Sequence, residues 1–284
     1  MKVEKCIIPI AGRGTRFLPI TKTVSKEMLP IVNIPTIMLL LKECLLSGIK
    51  EVIFVVGHHN YELVKSLFTK NEELDEFLKN DSKKELLNDL NEIIDNIKIS
   101  YVFQDESIRG TAGALYAAKD LIDEEEYFGV MFGDDLFDSD IPALKQLIDE
   151  ATLHNCSIVG VGEVKKELVS NYGVIKFKED NIVDTIVEKP PIDEAPTNYA
   201  IKGRYILHST FFANVLKNPV HNNNEYYLPE VLLSLNEETR AVVIEGNYFD
   251  IGSHLGFIKA NIAFGLKDDT IKEQLKDYLK SVGD

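Results

Sequence analysis

The chain has 284 residues, 45% of them hydrophobic, enough for a sizeable core and too apolar for a disordered chain. Its 31 basic residues against 46 acidic ones give a net charge of −15, with no long basic run, which speaks against a nucleic-acid or membrane-surface binder. Cys6, Cys44 and Cys156 lie far apart in apolar segments, so they form neither a zinc spacing nor a disulfide framework and read as buried thiols in a reducing compartment.

Apolar runs alternate with helical patterns through the first half. The N-terminus enters a strand over Val3–Ile10 with no signal-peptide pattern, so a cytoplasmic location is expected. A helix follows over Pro35–Ser47, with proline at its start and Gly48 after its end. The most apolar stretch, Ile37–Ile49, is broken by Lys42 and Glu43 and is too short to span a bilayer. Strands are expected at Glu51–Val56, Ile99–Phe103, Tyr127–Phe132 and Ser157–Val164, with helices at Tyr61–Phe68, Ala112–Leu121 and Ile141–His154. Residues 71–96 are charged and helical in period, and read as a solvated amphipathic insertion. This alternation predicts an α/β fold, a mainly parallel sheet flanked by helices.

After about residue 165 the texture changes to short strands at Tyr172–Phe177, Ile182–Val187 and Ala200–Leu207, with helical segments returning from Ser209. One domain over 1–284 is expected: a core over about 1–165, a smaller β-rich lobe over about 166–252, and a helical tail over about 253–284.

Three stretches carry chemistry. The loop Ala11-Gly12-Arg13-Gly14-Thr15-Arg16, continuing to Lys26-Glu27-Met28-Leu29-Pro30, follows the first strand. Ligands of α/β sheets bind beyond strand carboxyl ends, where glycines let backbone amides approach an anion and Arg13, Arg16, Lys22 and Lys26 supply charge. It is neither a dinucleotide fingerprint nor a P-loop, because Phe17 stands where a third glycine is needed and no Gly-Lys-Ser/Thr follows. Gly133-Asp134-Asp135 ends a hydrophobic strand, a placement that suits either a hard cation or a helix cap. Val187-Glu188-Lys189-Pro190 again ends a strand, and Tyr248-Phe249-Asp250-Ile251-Gly252 brings a late acid. His58 and His59, after a strand, are candidates to border the site.

Taken in order with Tyr172-Gly173-Val174-Ile175 and Gly203-Arg204-Tyr205-Ile206-Leu207, these stretches resemble the sugar-1-phosphate nucleotidyltransferases, in their uridylyltransferase branch, over about residues 3–265. The resemblance implies a Rossmann-like nucleotide-diphospho-sugar transferase fold whose smaller lobe binds the sugar. It implies UTP and glucose 1-phosphate as substrates and UDP-glucose and pyrophosphate as products, in a homodimer or homotetramer. It places Arg16 and Lys26 on the triphosphate, with Gly14 and Thr15 in the same loop, and Ala11, Gly12 and Glu27 by the nucleoside. Gln104 would read the base edge and Gly110 pack under the base. Asp134 and Asp250 would hold Mg²⁺; Gly173, Glu188, Lys189 and Asp135 would bind the sugar phosphate; Arg16, Lys26, Asp134 and Lys189 would form the catalytic set.

The chain departs from the branch at two places. Gly110-Thr111-Ala112-Gly113 matches related guanylyl- and thymidylyltransferases, which keeps dTTP and GTP open as nucleotides. Glu225-Tyr226-Tyr227-Leu228-Pro229-Glu230 replaces the branch's usual Glu-Ile-Gln-Leu-Thr-Asp. A catalytically silent nucleotide-sugar-binding regulator is the alternative of a different class.

Overall fold

The computed structural model describes residues 1–123, 126–221, 224–235 and 237–282; Gly283 and Asp284, the end of the expected tail, lie outside the described residues. Along the chain come β1 (Val3–Pro9), β2 (Pro30–Ile31), β3 (Ile34–Pro35), α1 (Thr36–Leu46), β4 (Glu51–Val56), α2 (Tyr61–Leu67), α3 (Glu72–Phe77), α4 (Asn88–Asn96) and β5 (Lys98–Phe103). The middle holds α5 (Gly110–Tyr116), β6 (Tyr127–Met131), β7 (Asp135–Asp138), α6 (Ala143–His154), β8 (Ser157–Glu163), β9 (Gly173–Phe177) and β10 (Val183–Glu188). Then follow β11 (Tyr199–His208), α7 (Thr210–Val215), α8 (Leu228–Ser234), β12 (Thr239–Val243), β13 (Asn247–Asp250), α9 (His254–Gly265) and α10 (Lys272–Val282).

Nine strands form one sheet, in the order β10-β9-β11-β6-β1-β4-β5, with β8 and then β12 added beside β11. Alternation along the buried strands splits the core in two. Ile8, Phe54 and Met131 face Leu40 and Leu41 of α1 and Leu144 and Leu147 of α6. Ile7, Ile53, Val55 and Val130 face Leu115 of α5, Phe211 of α7 and Val231 of α8. Both faces are covered, which is why these strands read as continuous apolar runs.

The sheet is more mixed than the sequence implies. β1, β4, β5 and β6 are parallel, as are β8 and β12, but β11 runs antiparallel to β6, β8 and β9. At ten residues β11 spans both regions, Tyr199 and Ala200 pairing with β9 and Arg204–His208 with β6, so the later strands join the same sheet. Two other expectations change. The segment after Ser209 contains β12 and β13, and the helix expected to reach Leu121 ends at Tyr116, before a short 3₁₀ turn over Lys119–Leu121. Among the described residues no helix is long and apolar enough to cross a membrane.

Candidate active site

The parallel strands β1, β4, β5 and β6 share one orientation, so the segments after Pro9, Val56, Phe103 and Met131 emerge on one edge. Asn60, 2% exposed, ties two of them together: its amide donates to the Ile10 carbonyl at 2.7 Å and its oxygen accepts from Gly57 N–H at 3.0 Å. Gln104 begins the next segment, its N–H bonded to Val56 O at 3.0 Å. His58 stacks on Phe103 with ring centroids 4.5 Å apart, while His59 lies near Arg13 and Gly12, and burial and the Arg13 charge lower its pKa.

The loop after β1 is pinned to the far end of the chain. Arg16 donates to Gly252 O at 3.4 Å, His254 bonds Arg16 O at 2.7 Å, and the Phe17 ring meets those of His254 and Phe257. Within the loop, Thr21 donates to Gly14 O at 2.8 Å. The result is an arginine held beside the segment that carries Asp250.

The strand ending in Gly-Asp-Asp does not run through both acids. β6 stops at Met131, and Asp135 opens β7, which pairs antiparallel with β13 so that Asp135 faces Asp250. Asp134 approaches from the turn between, its carbonyl accepting from Ile251 N–H at 2.9 Å. Both carboxylates converge on Gly252. A Cβ there would lie 2.8 Å from Asp134 Oδ2 and 3.1 Å from Asp250 Oδ1, so only glycine leaves room.

The three acids sit in different fields. Burial alone would raise Asp134, but the Lys26 ammonium at 2.6 Å, helped by Arg16, outweighs it and keeps the carboxyl below its usual range. Asp250 is raised by burial and by the charge of Asp134. Asp135 is pushed up to about 7, first by burial and then by Asp134, although Tyr248 donates a hydrogen bond to it. Gly203, at φ +57°, lies so close beneath Asp135 that any side chain would collide with its carboxylate. Asp134 and Asp250 thus share a place where a cation relieves repulsion, while Asp135 is held by protein groups.

No cluster of three or more metal-ligating side chains occurs among the described residues. Two converging carboxylates nevertheless fit Mg²⁺, which takes one or two from protein and completes its shell with water and phosphate oxygens.

Glu27 is fully buried, and neither carboxylate oxygen has a hydrogen-bond partner; its nearest cation is Lys26, at 3.7 Å. Burial pushes it up to about 7 from an ordinary 4.5, with Lys26 pulling the other way. A raised carboxyl pKa means that folding favours the protonated form, so stability is highest below the unfolded value and falls as pH rises towards 7. Glu27→Gln in metal-free protein is therefore expected to be neutral at pH 4 and stabilising by about 3 kcal/mol at pH 8, read from urea melts at both pH values.

A cleft of about 320 Å³ collects Arg16, Asp134, Asp135, Gly173, Glu188, Lys189 and Asp250 from the sequence reading. Gly173 and Glu188 are ladder partners across β9 and β10, and a Cβ on Gly173 would lie 3.0 Å from Glu188 Oε2. Lys189 follows at φ +47° with its N–H on Tyr172 O at 3.0 Å, a costly backbone state for lysine that turns the chain over the cleft. Ala11, Gly12, Gly14, Thr15, Lys26, Glu27, Gln104 and Gly110 are not among its lining residues. Gly110 has a reason of its own to lack a side chain: a Cβ there would meet Tyr226 O at 2.4 Å. That contact is part of a paired stretch, Arg109 N–H to Asn224 O at 2.8 Å and Ala112 N–H to Tyr226 O at 3.0 Å, that brings Tyr227, Leu228 and Pro229 to the cleft wall.

Sequence reasoning missed several supports. Arg204, with no exposed side-chain surface, makes a two-toothed pair with Glu43 at 3.0 and 2.9 Å and donates to Asp135 O at 2.8 Å, linking α1 to the acids. Tyr248, next but one to Asp250, was readable only as part of that motif.

Residues 5–265 match the nucleotidyl transferase family. The UTP–glucose-1-phosphate uridylyltransferase of Staphylococcus epidermidis is 39% identical, with 99% of each chain covered. A crystal structure of UDP-glucose pyrophosphorylase complexed with UDP-glucose is 34% identical with a TM-score of 0.82, covering 94% of this chain and 100% of that one. The UTP-bound enzyme from Acinetobacter baumannii is 27% identical with a TM-score of 0.87, covering 99% and 100%. With this match over most of its length, and with relatives of the same fold, the chain belongs to the nucleotidyl transferase family.

Proposed function

We propose that the chain transfers a uridylyl group from UTP to α-D-glucose 1-phosphate, giving UDP-glucose and pyrophosphate. The observation that carries this reading is the meeting of Asp134 and Asp250 at Gly252, beside Arg16 and in the wall of a cleft that also holds Glu188 and Lys189. Relatives named for this reaction, matching over nearly the whole chain, support it. The cleft lies between the strand edge carrying the basic loop and β9–β10, as a nucleotide core over 1–165, a sugar lobe over 166–252 and a tail over 253–284 would require.

A sugar 1-phosphate is already an ionised nucleophile, so its oxygen attacks the α-phosphorus of UTP in line, one P–O bond forms, and the bond to pyrophosphate breaks. No side chain has to remove a proton. The protein's work is alignment and charge balance. Lys189 and Glu188 hold the sugar phosphate, Arg16 and Lys26 offset the triphosphate, and Gln104 offers both a donor and an acceptor to the uracil edge. Mg²⁺ held by Asp134 and Asp250 would supply charge neutralisation on the phosphate oxygens. A homodimer or homotetramer in the cytoplasm belongs to the same reading, on the strength of the resemblance.

Pyrophosphate release, measured with five nucleotides against glucose 1-phosphate, tests the proposal. UTP should be best and dTTP weaker, since one methyl is discriminated by about 1–3 kcal/mol, with GTP, ATP and CTP poor. GTP outperforming UTP would overturn the nucleotide assignment; no release with any nucleotide would favour a silent regulator. Lys189→Ala should lower kcat/KM for glucose 1-phosphate about tenfold or more, the worth of a charged contact, and leave the KM for UTP near normal. Weakened use of UTP alone would reverse the placement of the two substrates.

A further inference from the structure

Beside the cleft lies a larger cavity, about 1410 Å³, whose lining includes Arg16, Lys165, Lys189, Lys202 and Lys259 against only two carboxylates, Glu163 and Asp250. Arg16, Lys189 and Asp250 are shared with the cleft, whereas Lys165, Lys202 and Lys259 face this cavity alone. In a chain of net charge −15 this is a local inversion of sign.

Lys165 and Lys259 are exposed surface lysines, but Lys202 is 3% exposed. Its ammonium rests 4.0 Å over the Tyr248 ring and 4.6 Å over the Tyr172 ring. Among the described residues no hydrogen-bond acceptor and no ion-pair partner reaches it; Asp135 and Asp250 act on it only through space. Burial accordingly holds its pKa down to about 8. The stem has a prepared course, because a Cβ on Gly162 would lie 3.1 Å from Lys202 Cε. A second source of positive field is α9, twelve residues long, whose first turn lines the same cavity through Ser253, Leu255 and Gly256. The residue is buried but lines the cavity, so its ammonium, without a protein acceptor, is open to completion by an anion that enters there.

We propose that this cavity is an anion-binding site for a phosphomonoester dianion, distinct from the nucleotide-sugar cleft, with Lys202 as its buried anchor. The aromatic faces hold the ammonium in place without neutralising it, and the exposed lysines and the helix start supply further attraction at the rim. A phosphate dianion, with its several acceptor oxygens, satisfies both the anchor and the rim where a single carboxylate would not.

Calorimetry on the full chain tests this. UDP-glucose is titrated first, and its heat tests the proposed function separately. Inorganic phosphate is then titrated into protein saturated with UDP-glucose, so that Lys189 is engaged; phosphate taken up by Arg16 and Lys26 on the vacant pyrophosphate side is told apart by being insensitive to Lys202→Met and Lys259→Gln. Phosphate is expected to bind. Lys202→Met should weaken it by about tenfold or more, Lys202→Arg should retain it within about threefold, and both should keep UDP-glucose affinity within about twofold. Lys259→Gln, on an exposed position with no folding risk, should weaken phosphate by a smaller factor. Absence of phosphate binding to the saturated protein, or unchanged binding in both Lys202→Met and Lys259→Gln, would overturn the proposal. So would a folded Lys202→Met that loses UDP-glucose affinity, because Lys202 would then be a counter-charge for Asp135 and Asp250. If UDP-glucose itself fails to bind, the same phosphate titrations on free wild-type and Lys202→Met protein still decide the cavity.

Discussion

Asp134→Asn is expected to cut kcat/KM for UDP-glucose synthesis by at least about a hundredfold while leaving the circular dichroism spectrum unchanged. Asparagine keeps the shape that fits over Gly252, so the turn and its bond from Ile251 N–H survive. What disappears is the charge that Lys26 meets at 2.6 Å and that, with Asp250, makes the cation place. Asp250→Asn should fall in the same range. Asp135→Asn should do less as a metal effect, because that carboxyl is engaged by Tyr248 and packed over Gly203. Steady-state rates across a Mg²⁺ series check all three. Near-normal turnover for Asp134→Asn and Asp250→Asn together would remove these carboxylates from the reaction.

Glu43→Gln is expected to lower stability by about 3–5 kcal/mol, the cost of leaving one member of a buried ion pair without its counter-charge. Arg204 has no exposed side-chain surface and Glu43 about a tenth, so water cannot take the carboxylate's place. Glu43 Oε1 also accepts from Leu144 N–H at 2.9 Å, so α1, α6 and β11 all lean on this one group. Equilibrium urea unfolding of both proteins gives the difference; a loss under about 1 kcal/mol would mean that Arg204 finds a new partner at little cost. Because Arg204 also donates to Asp135 O, the variant should lose turnover in step with its stability.

The frame was legible because burial on both faces writes itself as apolar runs. β4 falls on Glu51–Val56, the stretch its sequence marks, and α1 stops where Gly48 takes φ +86°. The pairing of β7 with β13 was not legible. Asp-Leu-Phe-Asp and Asn-Tyr-Phe-Asp are short, half polar and drawn from opposite halves of the chain, so no local period announces a ladder that sets Asp135 against Asp250. Lys202 and Arg204 were hidden for a different reason. Two cations in a strand suggest an outward face, yet the irregular register of β11 against β8 between Ile201 and Tyr205, with Gly203 in the middle, lets both turn inward. Of the candidate site, the order of the motifs gave the acids and the basic loop. The glycine at 252 that brings Asp134 and Asp250 together belonged to a motif, but its purpose shows only in three dimensions.

The anchoring of Arg16 by Gly252 and His254 has a consequence for how the protein is made. Arg16 leaves the ribosome early, Asp134 midway, and Asp250 with its helix only near the end. Until α9 emerges, the Arg16 end of the basic loop lacks its anchors, even where Lys26 already meets Asp134, and the Gly-Asp-Asp turn lacks its second carboxylate. The strands β1, β4, β5 and β6 can assemble by then, so the nascent chain passes through a stage with a formed sheet and an unassembled catalytic edge. Chains stalled before residue 250 should therefore resist protease across β1–β6 yet be cut between Ala11 and Lys26, and that loop should become resistant only when α9 has been released.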